Sequence, residues 1–75
     1  MQGSPNPQQK RSLTIAGHRT SLSLEREFWA ALLEAAKTEN ISLAKLVGQI
    51  DQNRAGHNLS SAIRIWLFNR VRQKD

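Results

Sequence analysis

The clearest pattern in the chain is the alternation of polar and apolar residues from Arg19 to Leu24. A period of two places Leu22 and Leu24 on one face of a strand. The opposite face then carries Arg19, Ser21 and Ser23. A single strand leaves its backbone donors and acceptors without partners unless a second copy supplies them, so the sequence predicts a homodimer. A two-stranded ribbon with hydroxyl and guanidinium groups outside would fit the major groove of DNA.

A shorter alternating stretch precedes this strand and contains Leu13 and Ile15. Its apolar residues have odd numbers, whereas those of the following strand have even numbers. One unbroken strand would therefore send the two apolar pairs to opposite faces. We expect a bulge or bend at Gly17 and His18, where glycine interrupts the pattern.

Three helices are predicted after the strand. The first runs from about Glu25 to Asn40, with acidic residues at its amino end. Ser42 is a suitable N-cap for the second, whose apolar residues follow the i, i+3, i+4, i+7 spacing, and Asn58 caps the third. The third helix carries apolar residues on more than one side, including Phe68, which a second surface such as a dimer interface would cover. The predicted order is strand, helix, helix, helix.

Seventy-five residues allow one domain with a small core, and such chains usually gain stability from disulfides, metals or oligomerisation. The sequence has no cysteine, which leaves oligomerisation and suits a reducing cytoplasm. Residues 1–10 are rich in polar residues, glycine and proline and are predicted to form a flexible arm, with the domain spanning 11–75. No apolar run approaches the roughly 18 residues of a membrane span, and no signal peptide is evident, so we expect a cytoplasmic protein without a membrane partner.

The chain is basic, with eleven lysine and arginine residues against six acidic ones and a net charge of +5. The acidic residues other than Asp75 fall between Glu25 and Asp51, which leaves both ends of the chain positive. This distribution favours contact with phosphates, although many small domains are basic without binding nucleic acid.

Several short motifs are shared with a known family. They are Gly17-His18-Arg19-Thr20-Ser21, Leu24-Glu25, Phe28-Trp29, Ile50-Asp51 and Asn58-Leu59-Ser60-Ser61-Ala62-Ile63-Arg64. With a strand that leads directly into an amphipathic helix, they resemble the ribbon-helix-helix proteins of the Arc and MetJ type, and more closely a small bacterial subfamily. The resemblance covers about residues 11–72. It implies a mainly α fold with one short strand, forming an intertwined homodimer with a two-stranded antiparallel intersubunit ribbon and an extra helix.

In that family the solvent face of the ribbon reads base edges. The resemblance therefore assigns base contacts to Arg19, Ser21 and Ser23. Arginine is the best reader of guanine, and serine can donate to or accept from several bases. Family members often carry longer residues where this chain has its two serines, so their short reach points to water-mediated contacts or shape reading.

The family also binds phosphate at the amino end of its second helix, where free N–H groups meet the anion. Two segments compete for this role. Ser42 follows the first helix directly, whereas Asn58, Ser60 and Ser61 have the more typical sequence, which favours them. All four residues can equally be helix caps. His18, next to Arg19, is a further candidate phosphate donor.

Catalysis has little support, because His18 and His57 are the only histidines and no nucleophile motif or metal-ligand spacing is present. We therefore predict no enzyme activity and no cofactor. The leading hypothesis is a dimeric, sequence-specific protein that binds double-stranded DNA and regulates transcription. The alternative is a protein-interaction module, an adaptor or antitoxin-like scaffold that engages a protein partner.

Overall fold

The structure, a computed structural model, describes residues 8–74. These residues form two strands followed by three helices. The elements are β1 (Gln8–Ile15), β2 (His18–Glu25), α1 (Arg26–Glu39), α2 (Leu43–Gln52) and α3 (Leu59–Lys74). β1 starts at Gln8, so the last three residues of the predicted arm lie in a strand. Residues 1–7, for which a flexible arm stays a prediction, lie outside the described residues.

The two strands pair with each other as an antiparallel hairpin within one chain. The prediction of one short strand was therefore wrong, whereas the intersubunit ribbon and the intertwined dimer stay predictions. β1 supplies the partner for all eight residues of β2, from Ile15 opposite His18 to Gln8 opposite Glu25. The backbone of β2 has a partner strand in its own chain, so the homodimer no longer follows from unpaired backbone groups.

The hairpin turns at Ala16 and Gly17, which both have positive φ angles, 53° and 83°. Two successive residues with positive φ define a type I′ turn, whose twist matches that of the strands on either side. The expected interruption at Gly17 is thus confirmed in position, but it is a full reversal of the chain. It begins one residue before Gly17, and His18 is already in β2.

The turn also accounts for the change from odd to even apolar positions. In the register of the hairpin, each odd-numbered residue of β1 lies opposite an even-numbered residue of β2, as Ile15 lies opposite His18. Directly opposed residues share a face of the sheet. The odd apolar residues of β1 and the even ones of β2 therefore lie on one face. That face packs on the helices through Ile15, Leu22 and Leu24, all three of which are buried.

The three helices begin and end close to the predicted positions. Asn40 terminates α1 in the left-handed region, with φ of 60°, and the Ser42 side chain caps α2. Asn58 caps α3, since its Oδ1 accepts a hydrogen bond from the Ser61 N–H at 2.8 Å. The core joins all of these elements. Besides the three strand residues, its buried members are Trp29, Leu32, Ala35, Ala36, Leu46, Val47, Ile50, Ala62, Ile63 and Leu67.

Among residues 8–74, none of the helices combines the length and apolar character needed to cross a membrane.

Candidate nucleic-acid interface

The three predicted base-contacting residues lie together on the outer face of the hairpin. Arg19, Ser21 and Ser23 occupy alternate positions in β2, on the side opposite Leu22 and Leu24. Arg19 and Ser21 are exposed, while Ser23 is half-buried. The phase predicted from the sequence therefore agrees with the burial pattern of the strand.

β1 contributes three further polar residues to this face, which sequence reasoning missed. Lys10 lies opposite Ser23, Ser12 opposite Ser21, and Thr14 opposite Arg19. All three β1 residues are exposed. We call these six residues the outer ribbon face. They were missed because β1 was not paired with β2, although the odd-to-even change in apolar positions is what a hairpin with a two-residue turn produces.

The amino end of α3 lies at the edge of β2 that faces away from β1. The Ser60 hydroxyl donates a hydrogen bond to the backbone carbonyl oxygen of Ser23 at 3.0 Å. Backbone groups in a strand alternate between its two edges. The backbone groups of Arg19 and Ser21 therefore lie on the same outer edge of β2 as those of Ser23. Ser21, Ser23 and Asn58 line a groove between β2 and the amino end of α3.

An ion pair joins α3 to the end of the ribbon. Arg64 Nε lies 3.1 Å from Glu25 Oε1, and Gln8 Nε2 donates to Glu25 Oε2 at 3.2 Å. The pKa of the Glu25 carboxyl is lowered from its ordinary value of 4.5 because the carboxylate accepts hydrogen bonds. The largest contribution comes from the backbone, and the next ones come from Gln8 and Arg64. Glu25 is also the N-cap residue of α1, so its negative charge lies at the positive end of that helix.

The predicted phosphate-contacting residues are not all brought together. Asn58, Ser60 and Ser61 lie at the amino end of α3, with Asn58 and Ser60 in the groove beside β2. Ser42 is outside the residues that line this groove, and its Oγ accepts a hydrogen bond from the Lys45 N–H at 3.0 Å as the N-cap of α2. His18 is exposed, but its position opposite Ile15 places it on the inner face, away from the outer ribbon face.

The cations of the outer ribbon face have no acidic partner among the described residues. Within residues 8–74, the ion pairs are Arg54 with Asp51, Arg64 with Glu25, and Arg70 with Glu39. Lys10 and Arg19 belong to none of these pairs. Arg11, the neighbour of Lys10, lies on the inner face instead, with its guanidinium carbon 4.9 Å from the ring centre of Trp29. Two cations on the outer face are thus available to an anionic partner.

Metal-binding residues are not clustered in the described part of the chain. No group of three or more histidine, cysteine, aspartate or glutamate side chains converges on one point between residues 8 and 74. The side chains gathered at the ribbon are hydroxyls, amides and cations. They can bind an anion or hydrogen-bond to base edges.

A two-stranded antiparallel sheet with a polar outer face, followed by three helices, fits a ribbon-helix-helix domain. The chain matches the family described as "Ribbon-helix-helix domain" over residues 8–71, and it belongs to that family. The family generally binds DNA as dimers, in transcription regulators. Comparisons with curated proteins and with solved structures gave no match.

Proposed function

We propose that this protein is a sequence-specific DNA-binding protein and transcriptional regulator that acts as a homodimer and reads the major groove with its ribbon. The observation that carries the proposal is the outer ribbon face. It presents Lys10 and Arg19, two cations that form no ion pair within residues 8–74, together with four hydroxyl side chains. A two-stranded ribbon is narrow enough for the major groove, where arginine and lysine read guanine and serine and threonine contact several bases.

The amino end of α3 supports the proposal from the adjoining surface. Asn58 already satisfies the backbone N–H of Ser61, and other N–H groups in the first turn of a helix have no partner within the helix. They are suited to a backbone phosphate next to a ribbon that lies in the groove. Of the two helix ends considered from the sequence, we therefore favour Asn58–Ser61 over Ser42 for the phosphate contact.

Homodimer formation is supported by an apolar surface outside the core. It consists of Phe28 and Ala31 from α1 and Ile65, Phe68 and Val71 from α3, and we call it the α1–α3 face. Phe68 and Val71 are 62% and 61% exposed, which is unusual for residues that recur along one side of a helix. Since the family acts as dimers, we assign this face to a second copy of the chain.

The position of this face fits that role. Arg64 lines both the α1–α3 face and the groove beside β2, so a second copy bound there would lie next to the first ribbon. A dimer built in this way carries two ribbons. Two ribbons on one assembly would contact two half-sites, as dimeric DNA-binding proteins commonly do.

The experiment is a binding titration with the purified protein. We would compare a duplex from the region upstream of its own gene with a random duplex of equal length, at two salt concentrations. The test variant is Arg19→Ala, and the matched control is Arg70→Ala. Arg70→Ala removes the same charge, but Arg70 is paired with Glu39, the last residue of α1. We expect Arg19→Ala to weaken binding to the cognate duplex by about 10- to 100-fold, the loss of one good base contact.

Each outcome has a clear meaning. A large effect of Arg19→Ala with little effect of Arg70→Ala supports reading by the ribbon. Equal losses for both variants, on both duplexes, would show general attraction to the backbone and contradict sequence-specific reading. Absence of binding at moderate salt would reject the proposal and favour the protein-interaction module.

A further inference from the structure

We propose that a cleft between the end of α2, the α2–α3 loop and α3 binds a small aromatic carboxylate. The cleft has a volume of about 420 Å³, within the usual range for sites that hold small molecules. Its lining residues fall between Gln49 and Asn69 of one chain, and it shares none of them with the groove beside β2. The inference does not depend on the proposed function, because it concerns a different surface and a different class of ligand.

The apolar part of the lining includes an aromatic ring. Ile50 and Ala62 are buried core residues, and Ile65 and Trp66 of α3 line the cleft with them while staying partly open to solvent. The Trp66 ring is therefore a surface on which a flat ligand ring can pack. Within residues 8–74 the indole N–H of Trp66 makes no hydrogen bond, whereas that of Trp29 has a backbone acceptor. The Trp66 donor is thus available to a polar atom of a ligand.

Two side chains that can donate to an anion line the same cleft, Arg54 and His57. Arg54 is held by two contacts: its Nε lies 2.7 Å from Asp51 Oδ1, and its Nη1 donates to the His57 backbone carbonyl oxygen at 3.1 Å. These contacts use two of the five guanidinium N–H groups, and the others can bind a carboxylate. Asp51 is outside the lining, and no acidic residue among those the structure describes is part of it. The lining therefore suits an anion better than a cation.

Three amide side chains add further polar groups to the cleft, those of Gln49, Asn53 and Asn69. Asn53 Nδ2 already donates to the Gln49 backbone carbonyl oxygen at 2.9 Å, while the Asn69 side chain makes no hydrogen bond within residues 8–74. An amide can donate and accept, so these side chains can orient a ligand without selecting its charge. An apolar, partly aromatic lining with a guanidinium beside it is the complement of a flat ring that carries one carboxylate.

The competing occupant of the cleft is a second copy of the chain, which we assign to the α1–α3 face. The two surfaces adjoin, since Ile65 lines both, but their chemistry differs. The α1–α3 face is lined by apolar residues apart from Glu27 and Arg64, as suits contact between subunits. The cleft combines apolar side chains with three amides and two further donors, a mixture typical of small-molecule sites. A small molecule is therefore the better fit, and the experiment distinguishes it from a second copy.

The probe is naphthalene-2-carboxylate, and its matched control is the neutral naphthalene-2-carboxamide. Each is titrated into the isotope-labelled protein at neutral pH, and NMR spectra follow the indole N–H signals of the two tryptophans. Trp66 lines the cleft, whereas Trp29 is buried with its N–H already bound, so it is an internal control. We expect the Trp66 signal to shift in a saturable way while the Trp29 signal stays in place. The amide should bind about tenfold more weakly, the loss of one charge-assisted hydrogen bond.

Arg54→Gln and Arg72→Gln test the contact with the carboxylate. Both remove one guanidinium, but Arg72 lies over the Phe68 ring, outside the cleft. We expect Arg54→Gln to weaken binding of the carboxylate by about tenfold and to leave the amide unchanged, whereas Arg72→Gln should change either by less than about twofold. Asn69→Phe fills the cleft from an exposed position of α3 and should abolish binding of both probes, so the site can be tested even if the loop needs Arg54. Thermal unfolding checks that each variant is folded.

A saturable Trp66 shift, with a preference for the carboxylate that Arg54→Gln removes, supports the inference. Absence of a Trp66 shift, or equal shifts with both probes that survive Asn69→Phe, would overturn it. The Trp66 signal without probe is also followed on dilution, in the wild type and in Phe68→Glu. If it moves on dilution and the probe binds only the dissociated chain, a second copy occupies the cleft and the inference is wrong. Failure to bind DNA would reject the proposed function but would leave these results unchanged.

Discussion

The indole Nε1 of Trp29 donates a hydrogen bond to the backbone carbonyl oxygen of Gln9 at a distance of 2.8 Å. Trp29 belongs to α1 and is 1% exposed, whereas Gln9 lies near the amino end of β1. The contact therefore fixes the open end of the hairpin to the helical layer. The guanidinium of Arg11 covers the same ring, so one aromatic side chain holds two residues of β1.

Trp29→Phe should loosen β1 more than it disturbs the helices. Phenylalanine keeps the aromatic packing but removes the donor to Gln9, and some core volume is lost as well. We expect a loss of about 2 kcal/mol in the free energy of unfolding, the usual order for a lost buried hydrogen bond with incomplete packing. Urea denaturation followed by Trp66 fluorescence measures this loss, and hydrogen exchange at the Gln9 and Leu24 amides reports on the hairpin. Unchanged protection at these amides would contradict the role assigned to Trp29.

The turn at Ala16 offers a stabilising substitution. Ala16 has φ of 53°, a left-handed conformation that is unfavourable for residues with a Cβ and least so for asparagine. Ala16→Asn should therefore raise the free energy of unfolding by about 0.5–1 kcal/mol. Ala55, with φ of 51° before Gly56, occupies the same kind of turn, and Ala55→Asn serves as an independent repeat.

The two turn substitutions are distant in sequence, so their effects should add in the double variant. Gly17→Ala is the opposing control, because its φ of 83° disfavours any side chain even though the site is open. Thermal unfolding of the four variants measures the order of stability. A decrease in stability for Ala16→Asn would show that the turn conformation differs from the one described.

The helices and their ends could be predicted from the sequence because their determinants are local. Asn40, Ser42 and Asn58 terminate or cap helices where their residue types indicated. The hairpin was harder to predict, because its turn contains Ala16 and Gly17 instead of the Asn-Gly pair typical of type I′ turns, and the change from odd to even apolar positions was its main signal. The alternation within each strand was visible, but the pairing between them depends on tertiary contacts such as that of Trp29 with Gln9.

The candidate site likewise contains some residues that local sequence predicts and others that only the tertiary structure places there. Arg19, Ser21 and Ser23 could be placed on one face from their spacing alone, since a strand has a fixed period. The contribution of Lys10 required the strand register. The position of Ser60 beside Ser23 required the packing of α3 on β2, over a separation of 37 residues. Local sequence patterns do not determine contacts of that range.

The Glu25 carboxylate should make stability depend on pH in the acid range. Its pKa is lowered in the folded state by hydrogen bonds from the backbone, Gln8 and Arg64. A lowered pKa contributes stability that is present above the unfolded value near 4.5 and is lost as the pH falls below it. Glu25→Gln should therefore be less stable than the wild type at pH 7, and the difference should shrink towards pH 3.

Urea midpoints of the wild type and Glu25→Gln, measured at intervals from pH 7 to pH 3, test this dependence. Glu34→Gln is the matched control, because Glu34 is exposed in the middle of α1 and, within residues 8–74, it belongs to none of the ion pairs. A difference between Glu25→Gln and the wild type that stays constant over the whole range would contradict the assignment to the Glu25 carboxylate.

Phe68→Glu should separate dimer formation from folding. Phe68 belongs to the α1–α3 face and is 62% exposed, so a charge there costs the monomer little but would be buried without a partner in a dimer interface. We expect the dimer dissociation constant to rise by on the order of tenfold or more, as for a central interface residue. Sedimentation equilibrium measures this constant, and thermal unfolding at low concentration checks the monomer. Gln73→Glu adds the same charge to an exposed position of α3 outside this face and should leave association nearly unchanged. If Phe68→Glu associates as the wild type does, the second copy binds elsewhere on the chain. If it is monomeric and its affinity for the cognate duplex falls together with association, then two ribbons on one assembly are needed for tight binding.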